Sequence, residues 1–213
     1  TFFFNQPKNE PVLSYAKGSK ERELLSKELE KQYNQCIEIP IIINGKEIKT
    51  GNVSEVVMPT EHSHVLAKFH KADKETVQKA IESALEARKK WENVHWIDRC
   101  SIMLRAAELL AGKYRYVINA ATMLGQGKNP FQAEIDSACE TIDFLRFNVH
   151  YASKIYAQQP LSDNSAINRL EYRGLEGFVY AISPFNFTSI ACNLNISPVL
   201  MGNVTVWKPA TTA

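Results

Sequence analysis

Apolar positions along this chain change their period several times, and each change marks an element. Over residues 19–33, Leu24, Leu25 and Leu29 recur at helical spacing among charged residues, which predicts one amphipathic helix. The pattern then shortens to the run Ile39-Pro40-Ile41-Ile42-Ile43, followed by Asn44-Gly45 and Lys46-Glu47-Ile48. Asn-Gly adopts the positive φ angles of a tight turn at little cost, so 39–48 reads as a β-hairpin. Residues 53–58 and 65–69 are further predicted strands, separated by Pro59. Helical spacing returns after Asp73, a good N-cap, with Val77, Ala80, Ile81, Ala84 and Leu85 as the apolar stripe of a helix reaching about Trp91. A second helix is predicted from near Asp98 to Gly112 through Ile102, Ala106, Leu109 and Leu110, and a third over 114–124. The longest, over 131–155, carries two apolar stripes: Ile135, Ala138, Ile142, Leu145 and Val149, and beside them Phe144, Phe147 and Tyr151. Apolar cover over so much of a circumference predicts a helix buried between layers.

Beyond Pro160 the pattern is polar over 161–169 and then runs through Leu170-Glu171-Tyr172-Arg173-Gly174, as expected of an extended excursion. Phe178-Val179-Tyr180 restarts a strand. It leads through Ala181-Ile182-Ser183-Pro184-Phe185-Asn186-Phe187-Thr188 into a helix, and a second strand, Asn203-Val204-Thr205-Val206, ends in Trp207-Lys208-Pro209-Ala210. This is one βαβ unit of about thirty residues, and the fold class is α/β. Polar side chains fall at the carboxyl ends of both strands, where open α/β sheets bind ligands.

Composition narrows the function classes. The 213 residues are 45% hydrophobic and 23% charged, as in ordinary globular proteins. The net charge of +2 comes from interleaved basic and acidic residues, as in Lys17-Gly18-Ser19-Lys20-Glu21-Arg22-Glu23, so nothing favours a nucleic-acid or anionic-membrane partner. No apolar run approaches the ~18 residues of a membrane span. The four cysteines form no C-x-x-C pair, and Cys100 and Cys139 lie in helical runs as expected of reduced, buried thiols, which suggests a reducing, intracellular compartment. Thr1-Phe2-Phe3-Phe4 is too short for a signal peptide, and the absence of an initiator Met reads as a processed or omitted amino terminus.

Several tempting motifs read more simply as structure. Gly125-Gln126-Gly127 follows a helix, not a strand, so it reads as a helix C-cap and not as a phosphate loop. His62-Ser63-His64 lacks a partner at metal-ligand spacing, and His70, His95 and His150 carry no motif. Cys192, six residues after Asn186, is conceivable as a nucleophile. Its place beside Ile190 and Leu194 in the expected helix favours a core position.

Pro184-Phe185-Asn186-Phe187 and Lys208-Pro209 resemble the NAD(P)-dependent aldehyde dehydrogenases, whose first cofactor strand ends in Pro-aromatic-Asn-Phe and whose second ends in Lys-Pro. The resemblance implies that residues 1–157 form the strand and helix layer of a Rossmann-like cofactor domain. It makes 158–176 an oligomerisation excursion and 177–213 the start of the nucleotide-binding unit. NAD is the implied cofactor and a homodimer or higher homo-oligomer the implied assembly. Asn186 becomes the oxyanion stabiliser, because a fixed amide N–H stabilises the charge that develops on an aldehyde oxygen. Ile182, Ser183, Pro184 and Phe185 would line the cofactor, and Lys208 beside Pro209 would donate to its adenosine ribose. The family's nucleophilic cysteine, its general-base glutamate and its Gly-rich pyrophosphate turn lie beyond Ala213.

Asn9-Glu10-Pro11-Val12, Leu124-Gly125-Gln126-Gly127-Lys128, Gln132-Ala133-Glu134-Ile135-Asp136, the stretch 142–148 and Tyr172-Arg173-Gly174-Leu175-Glu176-Gly177-Phe178 are similar to one subfamily, the L-glutamate γ-semialdehyde (1-pyrroline-5-carboxylate) dehydrogenases of proline breakdown. That similarity implies NAD-dependent oxidation of the semialdehyde to glutamate, in the mitochondrial matrix if the source is eukaryotic and in the cytoplasm if bacterial. Glu140, a carboxylate on an aromatic stripe, would face the amino-bearing end of the substrate, and Phe187 would pack on its aliphatic chain. The bland alternative for Glu140 is a helix-surface contact beside Asp136 and Asp143. Two other functions compete: oxidation of another small semialdehyde, or a truncated, non-catalytic chain that binds a partner.

Overall fold

The computed structural model describes residues 4–212, so Thr1, Phe2, Phe3 and Ala213 lie outside it. Ser19 caps α1 (Lys20–Tyr33), its hydroxyl accepting from the Arg22 amide at 3.3 Å. The apolar run after α1 divides at Pro40, which has no amide hydrogen to carry a ladder through. β1 (Ile37–Ile39) leaves the predicted hairpin and pairs parallel with β5 (Glu61–His70). β2 (Ile41–Ile43) and β3 (Lys46–Ile48) form the hairpin, and Asn44 and Gly45 turn it at φ 52 and 70. β4 (Val53–Met58) pairs antiparallel with β5, giving the sheet order β1-β5-β4.

Asp73 caps α2 (Lys74–Trp91), accepting from the Thr76 amide at 2.8 Å. The stripe of α2 stays partly open: Val77 is 45% and Leu85 38% exposed. α3 (Trp96–Ala111) starts two residues before Asp98, and Ala106 and Leu110 of the predicted stripe pack against the core as its partly buried edge. Arg99, Cys100, Met103 and Ala107 point inward while Ile102 is half exposed. Arg99 is buried with that face because its guanidinium donates to the Leu200 carbonyl at 3.0 Å, to Val94 O and to the Tyr156 hydroxyl at 2.9 Å.

α4 (Arg115–Gln126) ends at Gly127, whose φ of 66 suits a left-handed cap. An Asn129–Gln132 capping box opens α5 (Pro130–Ala133), which runs into a π-helical segment (Glu134–Glu140) and then α6 (Thr141–Tyr156). The predicted long helix is therefore continuous but carries seven residues of i→i+5 bonding, a form that concentrates at functional sites. The first stripe is buried from Ala138 to Val149 and packs with Cys100, Met103 and Ala107 of α3. The second is only half covered, and Tyr151 is largely exposed.

Residues 157–178 form neither strand nor helix, and Leu161, Ile167 and Leu175 stand 92%, 84% and 68% exposed. Their return is pinned by the Leu175 amide, which donates to Asn203 Oδ1 at 2.7 Å. β6 (Val179–Ile182), α7 (Thr188–Leu200) and β7 (Thr205–Lys208) then form the βαβ unit, pairing in parallel from Val179 with Thr205 to Ile182 with Lys208. No described helix is long and apolar enough to cross a membrane.

Candidate active site

Parallel pairing brings the carboxyl ends of β6 and β7 together, and the Ser183 amide donates to the Lys208 carbonyl at 3.2 Å. Ser183 is buried, and its hydroxyl accepts from the Trp207 indole at 2.5 Å, fixing that ring across the strand ends. Ile182, Phe185, Lys208 and Pro209 are exposed there, with Pro184 half-buried between them. Among the described residues the Lys208 ammonium meets no carboxylate. An unspent ammonium beside exposed apolar side chains suits the ribose hydroxyls and flat base of a nucleotide.

The turn from Ser183 to Phe187 leads directly into α7. Asn186 is exposed, and its side-chain amide makes no hydrogen bond among the described residues. Its backbone carbonyl accepts from Lys128 Nζ at 2.5 Å. The same ammonium pairs with Asp136 Oδ2 at 2.6 Å and lies 4.4 Å from the centre of the Phe187 ring. Phe187 occupies the N-cap position of α7 and has no side-chain acceptor for the amides that follow. Asp136 supplies it from across the core, accepting from the Thr188 amide at 3.2 Å, the Ser189 amide at 3.3 Å and the Ser189 hydroxyl at 3.0 Å. Thr188 Oγ1 in turn accepts from Gln126 at 2.8 Å and lies 2.8 Å from Thr122 Oγ1. Glu140 Oε2 lies 2.8 Å from the same Ser189 hydroxyl, whose one proton it shares with Asp136.

Residues 47–213 match the model of the aldehyde dehydrogenase family. The chain belongs to this family. The delta-1-pyrroline-5-carboxylate dehydrogenase of Agaricus bisporus is 53% identical over 215 residues, covering 100% of this chain and 39% of that protein. The mitochondrial human protein of the same name is 51% identical over 205 residues, covering 96% of this chain and 36% of its own length. The delta-pyrroline-5-carboxylate dehydrogenase structure of Mycobacterium tuberculosis bound with NAD superposes with a TM-score of 0.96 at 46% identity, covering 99% of this chain and 39% of that one. The chain thus spans about two-fifths of the length of the relatives it matches.

Within this aldehyde dehydrogenase fold, Asn186, Phe187 and Glu140 converge on one end of α7, and Ile182, Ser183, Phe185 and Lys208 gather at the neighbouring strand ends. The helix-surface reading of Glu140 is not what the contacts give: its partner is Ser189, while Asp143 accepts from Asn9 at 2.7 Å and the Glu10 amide at 2.8 Å. Cys192 is half-buried on α7, and burial pushes its thiol up to about 11, which keeps it protonated at neutral pH, as a core thiol should be. Cys100 and Cys139 are pushed up by burial to about 11 and about 12. All four cysteines are free.

Sequence reasoning passed over Lys128, Asp136 and Ser189, together with a buried charge cluster next to them. Glu134, fully buried, accepts from Tyr15 at 2.6 Å, the Leu13 amide at 2.9 Å, Asn119 at 2.8 Å and Arg115. Arg115 also donates to Glu10 at 2.5 Å, tying the amino-terminal segment to the π-helical turn. Burial disfavours the charge of both groups. Hydrogen bonds from Arg115 and Tyr15 nevertheless draw Glu134 below the usual carboxylate range, and those to Glu134 and Glu10 raise Arg115. The available signal was Glu134, Asp136 and Ser137 flanking Ile135 and Ala138 of the apolar stripe, at the start of a helix whose pattern predicts burial, since buried carboxylates need partners.

Proposed function

We propose that this chain is the cofactor- and oxyanion-bearing part of an NAD-dependent dehydrogenase that oxidises L-glutamate γ-semialdehyde to L-glutamate. One observation carries the reading: the Asn186 amide is exposed and unspent, on a turn braced from two sides at the carboxyl end of β6. NAD, held at the strand ends, would supply the hydride acceptor for the oxidation. Asn186 would donate to the aldehyde oxygen as negative charge develops on it, and a rigidly held donor costs no reorganisation at that moment. Ile182, Ser183, Pro184 and Phe185 would wall the cofactor, Ser183 acting through the indole it holds. Lys208, beside Pro209, would donate to the adenosine ribose. Phe187 would pack on the aliphatic chain of the substrate, and Glu140 would face its amino-bearing end. The identity of the pyrroline-5-carboxylate dehydrogenase relatives over almost the whole chain supports this substrate over other small semialdehydes.

The division into a strand and helix layer over 1–157, an oligomerisation excursion over 158–176 and a nucleotide-binding start over 177–213 belongs to the same proposal. Exposed Leu161, Ile167 and Leu175 support a homo-oligomer built through the excursion. The mitochondrial names of the Dictyostelium and human relatives support the matrix for a eukaryotic source, with the cytoplasm for a bacterial one. The test is turnover of glutamate γ-semialdehyde with NAD by the natural gene product carrying this chain. Asn186→Ala should lower kcat by about 10²–10³-fold while dinucleotide affinity changes little. An unchanged kcat in that variant removes Asn186 from the chemistry.

A further inference from the structure

The turn that presents Asn186 is held by two side chains that the proposed reaction does not otherwise use. We propose that Lys128 and Asp136 act together as positioning residues for the Asn186 amide, an inference that rests on Asn186 being the oxyanion donor. The Lys128 ammonium spends one donor on Asp136 at 2.6 Å and another on the Asn186 carbonyl at 2.5 Å, and lies against the Phe187 ring. Asp136 takes the amides of Thr188 and Ser189. The backbone on both sides of Phe187 is therefore anchored to one ion pair. The side chains of that pair are only 17% and 4% exposed, so water competes weakly for either charge.

Neither anchor is local. Lys128 follows the left-handed Gly127 cap of α4, and Asp136 lies in the π-helical segment, so two separate elements converge on one turn. Burying an ion pair is a poor way to gain stability, since a well-packed apolar pair often does as well. What the pair adds is direction: rotating the Asn186 peptide breaks a charge-assisted hydrogen bond. Misplacing a catalytic group by about 1 Å can cost on the order of 10²-fold in rate.

The experiment is a double-mutant cycle in the natural gene product, with Lys128→Met, Asp136→Asn, Asn186→Ala and the two combinations with Asn186→Ala. Steady-state kcat and NAD affinity by fluorescence titration are read for each. The expected result is a fall in kcat of about 10- to 100-fold for K128M and D136N, with NAD affinity nearly unchanged. In the N186A background either change should alter kcat by no more than about twofold, because the group they place is gone. Equal losses in both backgrounds, an unchanged kcat in the single variants, or no folded protein from either would overturn the positioning role. An unchanged kcat in N186A alone overturns the oxyanion reading itself, so the two failures are distinct.

Discussion

Replacing Glu134 by glutamine tests how far the buried charge cluster supports the segment that presents Asp136 and Glu140. Every neighbour of this carboxylate is a donor: the Leu13 amide, the Tyr15 hydroxyl, Asn119 Nδ2 and the Arg115 guanidinium. A glutamine NH₂ therefore meets a donor wherever it is placed. The less costly placement turns it toward Tyr15, whose hydroxyl already accepts from Asn119 Nδ2 at 2.8 Å but can rotate its hydrogen away and accept a second bond. Asn119 cannot do so, because its oxygen already accepts from Ser137 at 2.7 Å. One buried hydrogen bond to a charged group is lost, about 1.5–3 kcal/mol, and one donor is left unsatisfied, about 1–3 kcal/mol. Glu10 remains as a partner for Arg115, which holds the total near 3–5 kcal/mol, the range for breaking a buried ion pair. That is a large share of a typical stability of about 5–15 kcal/mol. Urea unfolding of the natural gene product at neutral pH should show the loss as a lower midpoint with an unchanged slope. The pH dependence follows from the same contacts. A carboxyl held below its ordinary value of 4.5 adds stability above that value and loses it as pH falls through the folded value. The gap between wild type and Glu134→Gln should therefore narrow below about pH 4.5. A loss under about 1 kcal/mol at neutral pH, the level of an exposed pair, would refute the argument.

Three further outcomes are expected. Glu140→Ala should raise KM for glutamate γ-semialdehyde far more than for a simple alkyl aldehyde; equal changes would leave the Ser189 contact as the whole role of Glu140. Gly174→Ala places a Cβ 2.7 Å from the Gly202 carbonyl oxygen, so it should cost about 1–3 kcal/mol, and an unchanged melting temperature would show that the return of the excursion yields freely. Cys192→Ala should leave kcat near wild type at neutral pH, because a thiol at about 11 supplies almost no thiolate there. A collapse of kcat with the fold intact would contradict that.

Local rules carried much of this protein. Ser19 and Asp73 cap helices where short polar side chains should, Asn44-Gly45 turns a hairpin, Gly127 stops α4, and the βαβ unit runs between the strands its apolar residues mark. These signals act within a few residues, so they can be read one after another along the chain. The cofactor-side residues that motif resemblance singled out, Ile182 to Phe185 with Lys208, also share a neighbourhood, because a parallel pair necessarily brings its two carboxyl ends together. Tertiary structure decided the rest. The burial of Arg99 on α3 depends on carbonyls at Val94 and Leu200, and β1 chose β5 over the hairpin. The π-helical segment, the Lys128–Asp136 clamp and the burial of Glu134 depend on partners 8 to more than 100 residues away in sequence. A lysine or a carboxylate in a helical pattern looks alike whether it faces water or an ion partner. Only the folded chain, by withdrawing both charges from solvent at one place, makes the difference.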